Sequence, residues 1–260
     1  MKLLTTDRIR EDLIKRLSEE KIKRKILLFS KNPTAEVKFY KNILIKRCEE
    51  FDISYVDKEF INENSSEILE YLSQFDKEDA YIFLAPFSKG MDLSELKKKV
   101  DLRDLDGFAY KSLGMSMEGN ILSLPATARA VASFLEERYD SFRGKNIVIA
   151  NTTMVIGKPL AMYLSAKSAT VSLINSKTKK DKEMIKESDI FISAIGKANF
   201  YDKSYFRDGM LIVDVGTSYI DGKVYGDVDY KSIEDMDVEI LTNKKGIGAI
   251  TTLKLLEGLI

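Results

Sequence analysis

Apolar positions along the chain switch repeatedly between a helical period and short continuous runs. "DRIREDLIKRL" spaces its apolar residues three and four apart, whereas "KRKILLFS" gathers them into one run, so the first reads as an amphipathic helix and the second as a strand. After the turn "KNPTA", residues 35–50 form a second helix, followed by strand "DISYVDK", helix "SSEILEYLSQF", strand "AYIFLAP" and helix "LSELKKKV". This alternation predicts an α/β fold, with a parallel sheet covered by helices. Residues 101–125, with scattered Gly, Asp and Met and little periodicity, read as loops at a junction. After helix "TARAVASFLEERY" a second series begins, with strands "NIVIAN", "TVSLIN", "IFISAIG", "LIVDVG", "YIDGKVYG" and "VEILTN" and helices "PLAMYLSAK" and "KEMIKES" among them. These six strands are mostly continuous apolar runs, as in a sheet buried on both faces. The closing "ITTLKLLEGLI" is an apolar helix able to complete either series.

Composition narrows the chemistry. With 260 residues, 44% hydrophobic, the chain can build one large or two modest cores. Lys+Arg and Asp+Glu both total 41, so no global basic field draws it to nucleic acid or a membrane surface. The start "MKLLTTDRIREDLIKRL" mixes acids and bases in its first turns, unlike a signal peptide, and no apolar run approaches a membrane span; the expected location is cytoplasmic. Cys48 is the single cysteine and histidine is absent, which excludes an internal disulfide and removes the commonest metal ligand and general base. No metal is expected, and chemistry falls to Lys, Asp, Tyr, Ser/Thr, backbone groups or a cofactor.

The stretch "IVIANTTMVIGKP" passes from strand to helix where a dinucleotide-binding fold keeps its glycines, yet Gly157 is the only one present. A helix opening there points free N–H groups and its positive end at the loop, which suits a phosphate, with Asn151, Thr152 and Thr153 as polar neighbours. The same residues also suit a plain strand-turn-helix joint with Pro159 in the first turn. The next strand ends in "SKTKK" rather than in an acid for a ribose 2′-hydroxyl. Lys177, Lys179 and Lys180 suit a 2′-phosphate, or form a solvated helix start. Asp214, Gly216 and Thr217 lie at the end of another strand, the edge where such sheets bind ligands.

Several segments, in order and spacing, resemble the methylenetetrahydrofolate dehydrogenase/cyclohydrolase family, the FolD proteins. "GKNIVIANTTMVIGKPLAMYL", "SDIFISAIGKA", "LIVDVGTSY" and "VYGDVDY" are similar to its NAD(P)-binding domain. "RDLDGF" resembles its Lys-Asp-Val-Asp-Gly-Phe segment, "LPATARAV" its Pro-Cys-Thr-Pro stretch, and "FYKNILIKRCEEFDI" its substrate-site helix. The resemblance implies two α/β domains facing a cleft: a folate domain over residues 1–125 plus 250–260, and a Rossmann-type NAD(P) domain over 126–249. It also implies a homodimer, a tetrahydrofolate or related pterin substrate, and NADP as first choice of cofactor with NAD second. The implied cofactor contacts are Asn151, Thr152, Thr153, Val155, Gly157, Lys158 and Pro159, then Asn175, Ser176 and Lys177, then Ala194, Gly196, Asp214, Gly216 and Thr217. The implied substrate contacts are Tyr40, Leu44, Leu84, Pro86, Asp106, Gly246 and Gly248, with Tyr40, Asp106 and Lys41 as catalytic candidates. Asp106 would accept from the pterin amino group and ring N–H, or serve only as the turn residue of an Asp-Gly pair. Tyr40 would stack on or hydrogen-bond the pterin, or pack with Val37 and Leu44. Cys48 reads as a small core side chain.

The departures are specific. The family's helix carries a Tyr followed four residues later by a catalytic Lys; here Tyr40 is followed by Leu44. Lys46 points nearly opposite, and Lys41 approximates the position from one turn earlier. The family's glutamine in Gln-Leu-Pro-Leu-Pro matches Leu84, with Pro86 retained. Its Gly-Arg-Ser matches Asn151-Thr152-Thr153, so the arginine credited with the 2′-phosphate is missing, and its His-Ser matches Asn175-Ser176. Its Thr-Pro-Val-Pro-Gly-Gly-Val-Gly-Pro segment is reduced to "TNKKGIGAI", keeping Gly246 and Gly248. Hydride transfer from a methylene carbon to nicotinamide asks the protein only for positioning. Hydrolysis of the methenyl cation needs water activation and proton movement, which Leu44 cannot supply. The expectation is a dehydrogenase with cyclohydrolase activity weak or lost. The alternatives are a dehydrogenase for a modified tetrahydropterin and a non-catalytic folate- or nucleotide-binding paralogue.

Overall fold

Ile26–Lys31, buried at every position, becomes β2, one of the two inner strands of a four-stranded parallel sheet with β3 (Tyr55–Phe60), β4 (Ala80–Phe83) and β5 (Arg103–Asp104) in the order β3-β2-β4-β5. The computed structural model describes residues 1–87 and 90–260. Register sets Phe29 opposite Phe83, with ring centroids 5.5 Å apart, and Phe60, Phe87, Ile68 and Leu96 complete that core face. The helices of this part are α1 (Asp7–Glu19), α2 (Ala35–Glu50), α3 (Ser65–Leu72), α4 (Ser94–Lys99) and α5 (Tyr110–Met117). Thr34 caps α2 by accepting from the Val37 amide, and a full capping box from Asn64 and Glu67 opens α3. The buried stripe of α2 is Val37, Lys41, Leu44 and Cys48, spaced four, three and four residues apart as a core-facing helix requires.

The second sheet is parallel throughout, in the order β1-β12-β9-β8-β6-β7, from β1 (Lys2–Leu4), β6 (Asn146–Ala150), β7 (Thr170–Ile174), β8 (Ile190–Ser193), β9 (Leu211–Asp214) and β12 (Glu239–Leu241). Its helices are α6 (Ala126–Arg138), α7 (Gly157–Ala166) and α8 (Asp181–Lys186), and α9 (Gly248–Glu257) follows. By contacts the chain divides into two compact units. One holds Asp12–Ser116, Leu122–Ala126 and Thr252–Ile260; the other holds Met1–Glu11, Met117–Ile121 and Thr127–Thr251.

Four expectations change. The first eleven residues join the second sheet rather than the first domain, because Lys2–Leu4 pairs in parallel with Glu239–Leu241 and Lys2 reaches Glu239 at 2.7 Å. The junction at 101–125 contains α5: its buried positions are Ser112 and Ser116, so small hydroxyl side chains mark the inner face and no apolar period is visible. "YIDGKVYG" is not a strand of the main sheet but a separate antiparallel hairpin, β10 (Ser218–Ile220) and β11 (Lys223–Tyr225). Asp221 and Gly222 turn it with φ of +49° and +74°, the left-handed pair that a two-residue hairpin demands. At the sheet edge, β7 is half-buried rather than enclosed on both faces.

Candidate functional site

In the second sheet, β6 lies between β7 and β8, so connections leave it in opposite directions and a crevice opens beyond the carboxyl ends of β6 and β8. That crevice, ≈ 420 Å³, is lined by Asn151, Thr152 and Thr153 after β6, by Asn175, Ser176 and Asp181 after β7, and by Ala194, Ile195 and Lys197 after β8, with Phe200 and Tyr201 closing it. A hollow of ≈ 460 Å³ between α3 and α4 is larger, but its floor is Leu69, Leu72 and Phe75 and it gathers none of the expected site residues.

The loop after β6 is wound around one carboxamide. Asn151 Nδ2 donates to the Ala194 carbonyl at 2.7 Å, while its Oδ1 accepts from the Thr153 amide (2.9 Å), the Thr153 hydroxyl (2.7 Å) and the Gly157 amide (3.0 Å). Asn151 therefore ties the ends of β6 and β8 together and caps α7 from a distance. A Cβ on Gly157 would sit 1.8 Å from the Asn151 carbonyl oxygen, so only glycine fits there. Lys158 donates its amide to the Thr153 carbonyl and Pro159 has no N–H, which leaves the amides of Thr152, Met154, Val155 and Ile156 without an internal partner among the described residues. Open amides at the start of a ten-residue helix are donors suited to an anion, and this loop fits the phosphates of a dinucleotide.

Two buried carboxylates hold the crevice from beneath. Asp227, 0% exposed, accepts from the Ser193 hydroxyl (2.6 Å), the Ile195 amide (2.8 Å) and the Lys197 amide (2.7 Å), which fixes the loop after β8. Asp214, also 0% exposed, accepts from the amides of Gly216, Asp227 and Val228, each at 3.0 Å, and from the Tyr230 hydroxyl at 2.7 Å. Burial raises the Asp214 carboxyl above its ordinary range against these donors, and burial with the Asp214 charge pushes the Tyr230 phenol up. Asp214 is thus enclosed and does not present its carboxylate to a ligand, contrary to the expectation that it touches cofactor. Gly216 packs on Asp227 and Gly226 on Asp214, where a Cβ would come within 2.0 Å and 2.1 Å respectively. Sequence reasoning missed Asp227; the signal was an acid between apolar neighbours in "VYGDVDY", one residue after a glycine.

The remaining cofactor candidates are dispersed. Val155, Lys158, Gly196 and Thr217 are exposed around the loops, and Pro159 is buried in the first turn of α7. Lys177, Lys179 and Lys180 are exposed and none lines the crevice. Asn175 accepts from the Lys177 amide at 2.9 Å, and the Thr178 amide returns to the Asn175 carbonyl at 2.9 Å, so the chain turns sharply and brings Asp181 to the crevice wall.

The first sheet repeats the topology: β2 lies between β3 and β4, and Leu84, Pro86 and Asp106 follow the carboxyl ends of β4 and β5. Tyr40 is half-buried, and burial together with the nearby Asp106 charge pushes its phenol above the ordinary value. One Asp106 oxygen accepts from the Ala126 amide at 2.6 Å, at the start of α6, while Asp104 holds the turn through the Asp106 and Ala109 amides. Gly107, at φ +62°, has no room for a Cβ against Pro125 and Ser123. Asp106 is therefore not the turn-forming acid of the Asp-Gly pair, a part taken by Asp104. Leu44 and Leu84 are buried (0% and 1% exposed), and Pro86 is exposed after a cis peptide bond. Lys41 is buried with its ammonium 2.8 Å from Asp57, and Lys46 is exposed. Gly246 and Gly248 belong to the other unit, where a Cβ on Gly246 would meet the Thr242 carbonyl at 1.9 Å and one on Gly248 would meet nothing. Among the described residues, no cluster of acids and cysteine suits a metal ion, and no helix is long and apolar enough to cross a membrane.

Residues 125–260 match the family model for the tetrahydrofolate dehydrogenase/cyclohydrolase NAD(P)-binding domain. The bifunctional protein FolD of Petrotoga mobilis is 34% identical over 227 residues, covering 86% of this chain and 81% of that protein. The bifunctional protein FolD of Clostridium botulinum (strain Langeland) is 30% identical over 263 residues, covering 97% and 93%. The crystal structure of the bifunctional FolD enzyme from Campylobacter jejuni has the same fold, with a TM-score of 0.90 at 24% identity over 100% of this chain and 97% of that one. A crevice at the reversal of a parallel sheet, a matched cofactor-domain model over half the chain, and relatives 30% and 34% identical along most of their length place this chain in the tetrahydrofolate dehydrogenase/cyclohydrolase family.

Proposed function

We propose that the protein is an NAD(P)-dependent methylenetetrahydrofolate dehydrogenase that oxidises 5,10-methylene- to 5,10-methenyltetrahydrofolate, with cyclohydrolase activity weak or lost. Bound NAD(P) supplies the hydride acceptor. The chain's own part is positioning: the open amides before α7 hold phosphate, Asn151 and Asp227 fix the loops after β6 and β8, and Asp106 accepts from the pterin edge beside Tyr40. The observation that carries the reading is an asymmetry. The loop before α7 leaves four amides open to phosphate, while the position four residues past Tyr40 holds Leu44, 0% exposed, and the neighbouring Lys41 ammonium is engaged by Asp57 at 2.8 Å. Neither side chain activates water.

The test is an assay of methylenetetrahydrofolate with NAD or NADP that follows methenyl formation and then its decay. Formation without accelerated decay is the expected result. Decay well above the spontaneous rate would remove the monofunctional reading, and no formation with either dinucleotide would turn attention to a modified tetrahydropterin. The same reading includes a homodimer, which light scattering on the purified chain would reveal as twice the 29.5 kDa mass.

A further inference from the structure

We propose that Asp181 sets the dinucleotide preference of the crevice, accepting from the adenosine ribose hydroxyls and favouring NAD over NADP. The inference rests on the reading of this crevice as the dinucleotide site. In sheets of this topology the ribose lies at the carboxyl end of the strand after the phosphate loop, and an acid about 20 residues beyond the loop glycine receives its 2′-hydroxyl. Asp181 stands 24 residues after Gly157 (181 − 157) and lines the crevice beside Asn175 and Ser176, at the end of β7. It is not at the strand's last residue, where an acid is normally sought. The turn from Asn175 to Thr178 folds the chain back and delivers the carboxylate seven positions past Ile174.

The charge pattern agrees. Asp181 is half-buried, and its negative charge contributes to raising the phenols of both Tyr201, which lines the same crevice, and Tyr205. A 2′-phosphate placed there would meet a carboxylate in a partly dry recess, where like charges repel far more than in bulk water. The ammonium among the lining residues belongs to Lys197, on the β8 side. The arginine that the family uses is replaced by Thr152, and Lys177, Lys179 and Lys180 are exposed outside the lining. Under this proposal NAD is the first choice and Asp181 is a specificity-determining residue.

The experiment is calorimetric titration of NAD and NADP into the 260-residue chain and into Asp181→Asn and Asp181→Ser, with thermal melts to verify folding. Wild type is expected to bind NAD at least ten times more tightly than NADP, and both variants to reduce that ratio at least tenfold, mainly by gaining NADP. Tighter binding of NADP by wild type, or an unchanged ratio in the two folded variants, overturns the proposal. NADP binding that collapses in Lys177→Ala would assign the selection to that lysine instead. Binding of neither dinucleotide to wild type would overturn the crevice reading itself, an outcome distinct from a wrong preference.

Discussion

The two parallel sheets reverse in the same way, one at β2 and the other at β6, and each gathers candidate site residues beyond its carboxyl edge. They differ in what the site is made of. At β6 the candidate seat consists of backbone amides, one carboxamide and Gly157, which admits no Cβ; at β2 the candidates are side chains, Tyr40 on α2 and Asp106 after β5. A backbone-built seat tolerates wholesale replacement of side chains, and the loop after β6 is held with a single glycine, Gly157, and the Asn151 carboxamide. A site built of side chains depends on each of them, and under the proposed reading Leu44 marks one such loss. On that reading the hydrolytic activity is the one exposed to substitution.

The comparison breaks most sharply at Gly157. Gly157→Ala forces a methyl into the Asn151 carbonyl and should weaken dinucleotide binding by about 100-fold or more, equivalent to about 2.7 kcal/mol. Calorimetry measures this directly, and near-native affinity would show that the loop does not hold phosphate. Asp227→Asn presents an amide nitrogen to donors now satisfied by a carboxylate; it should cost about 2–3 kcal/mol in urea unfolding and weaken dinucleotide binding about tenfold. An unchanged affinity in the folded variant would separate that carboxylate from the crevice. On the other side, Leu44→Lys should accelerate methenyl decay several-fold while lowering stability by about 3 kcal/mol, because an ammonium replaces a fully buried leucine. No acceleration in a folded protein would mean that more than this one side chain separates the two activities.

The smallest effect lies far from either seat. The Lys2 hydrogen bond, with the Arg138 charge, holds the Glu239 carboxyl below its ordinary 4.5. A depressed carboxyl contributes stability that is complete above the unfolded value and fades as pH falls through the folded one. Side chains this exposed yield about 0.5 kcal/mol. Glu239→Gln should therefore lower the melting temperature slightly at about pH 6, with the difference from wild type fading as acid protonates the carboxyl in the folded protein.

Much of this was legible in the sequence, and the exceptions have physical causes. Apolar runs revealed β2, β4, β6, β8 and β9, since strands enclosed on both faces are near-continuous apolar runs, with polar residues only at their ends. A three-residue strand such as Lys2–Leu4 is too short to carry a period, and α5 hides its inner face behind Ser112 and Ser116. Asn151 was recognised as part of the cofactor loop but not as its clamp, because a carboxamide with four partners looks the same in sequence as one facing solvent. Asp227 and Asp181 escaped for a related reason: one acts through the backbone of a loop 30 or more residues away, and the other reaches the crevice through a turn that follows the strand.

Cys48 has a practical consequence. It is fully enclosed in the α2 stripe, and burial pushes its thiol up to about 12, so hardly any of it is ionised at neutral pH. Maleimide reagents should pass it by. The natural chain thus serves as a quiet background for labelling: a cysteine introduced on an exposed loop of either unit would be the one that reacts, and a pair of them would carry fluorophores for following the enzyme through a turnover without first removing any native residue.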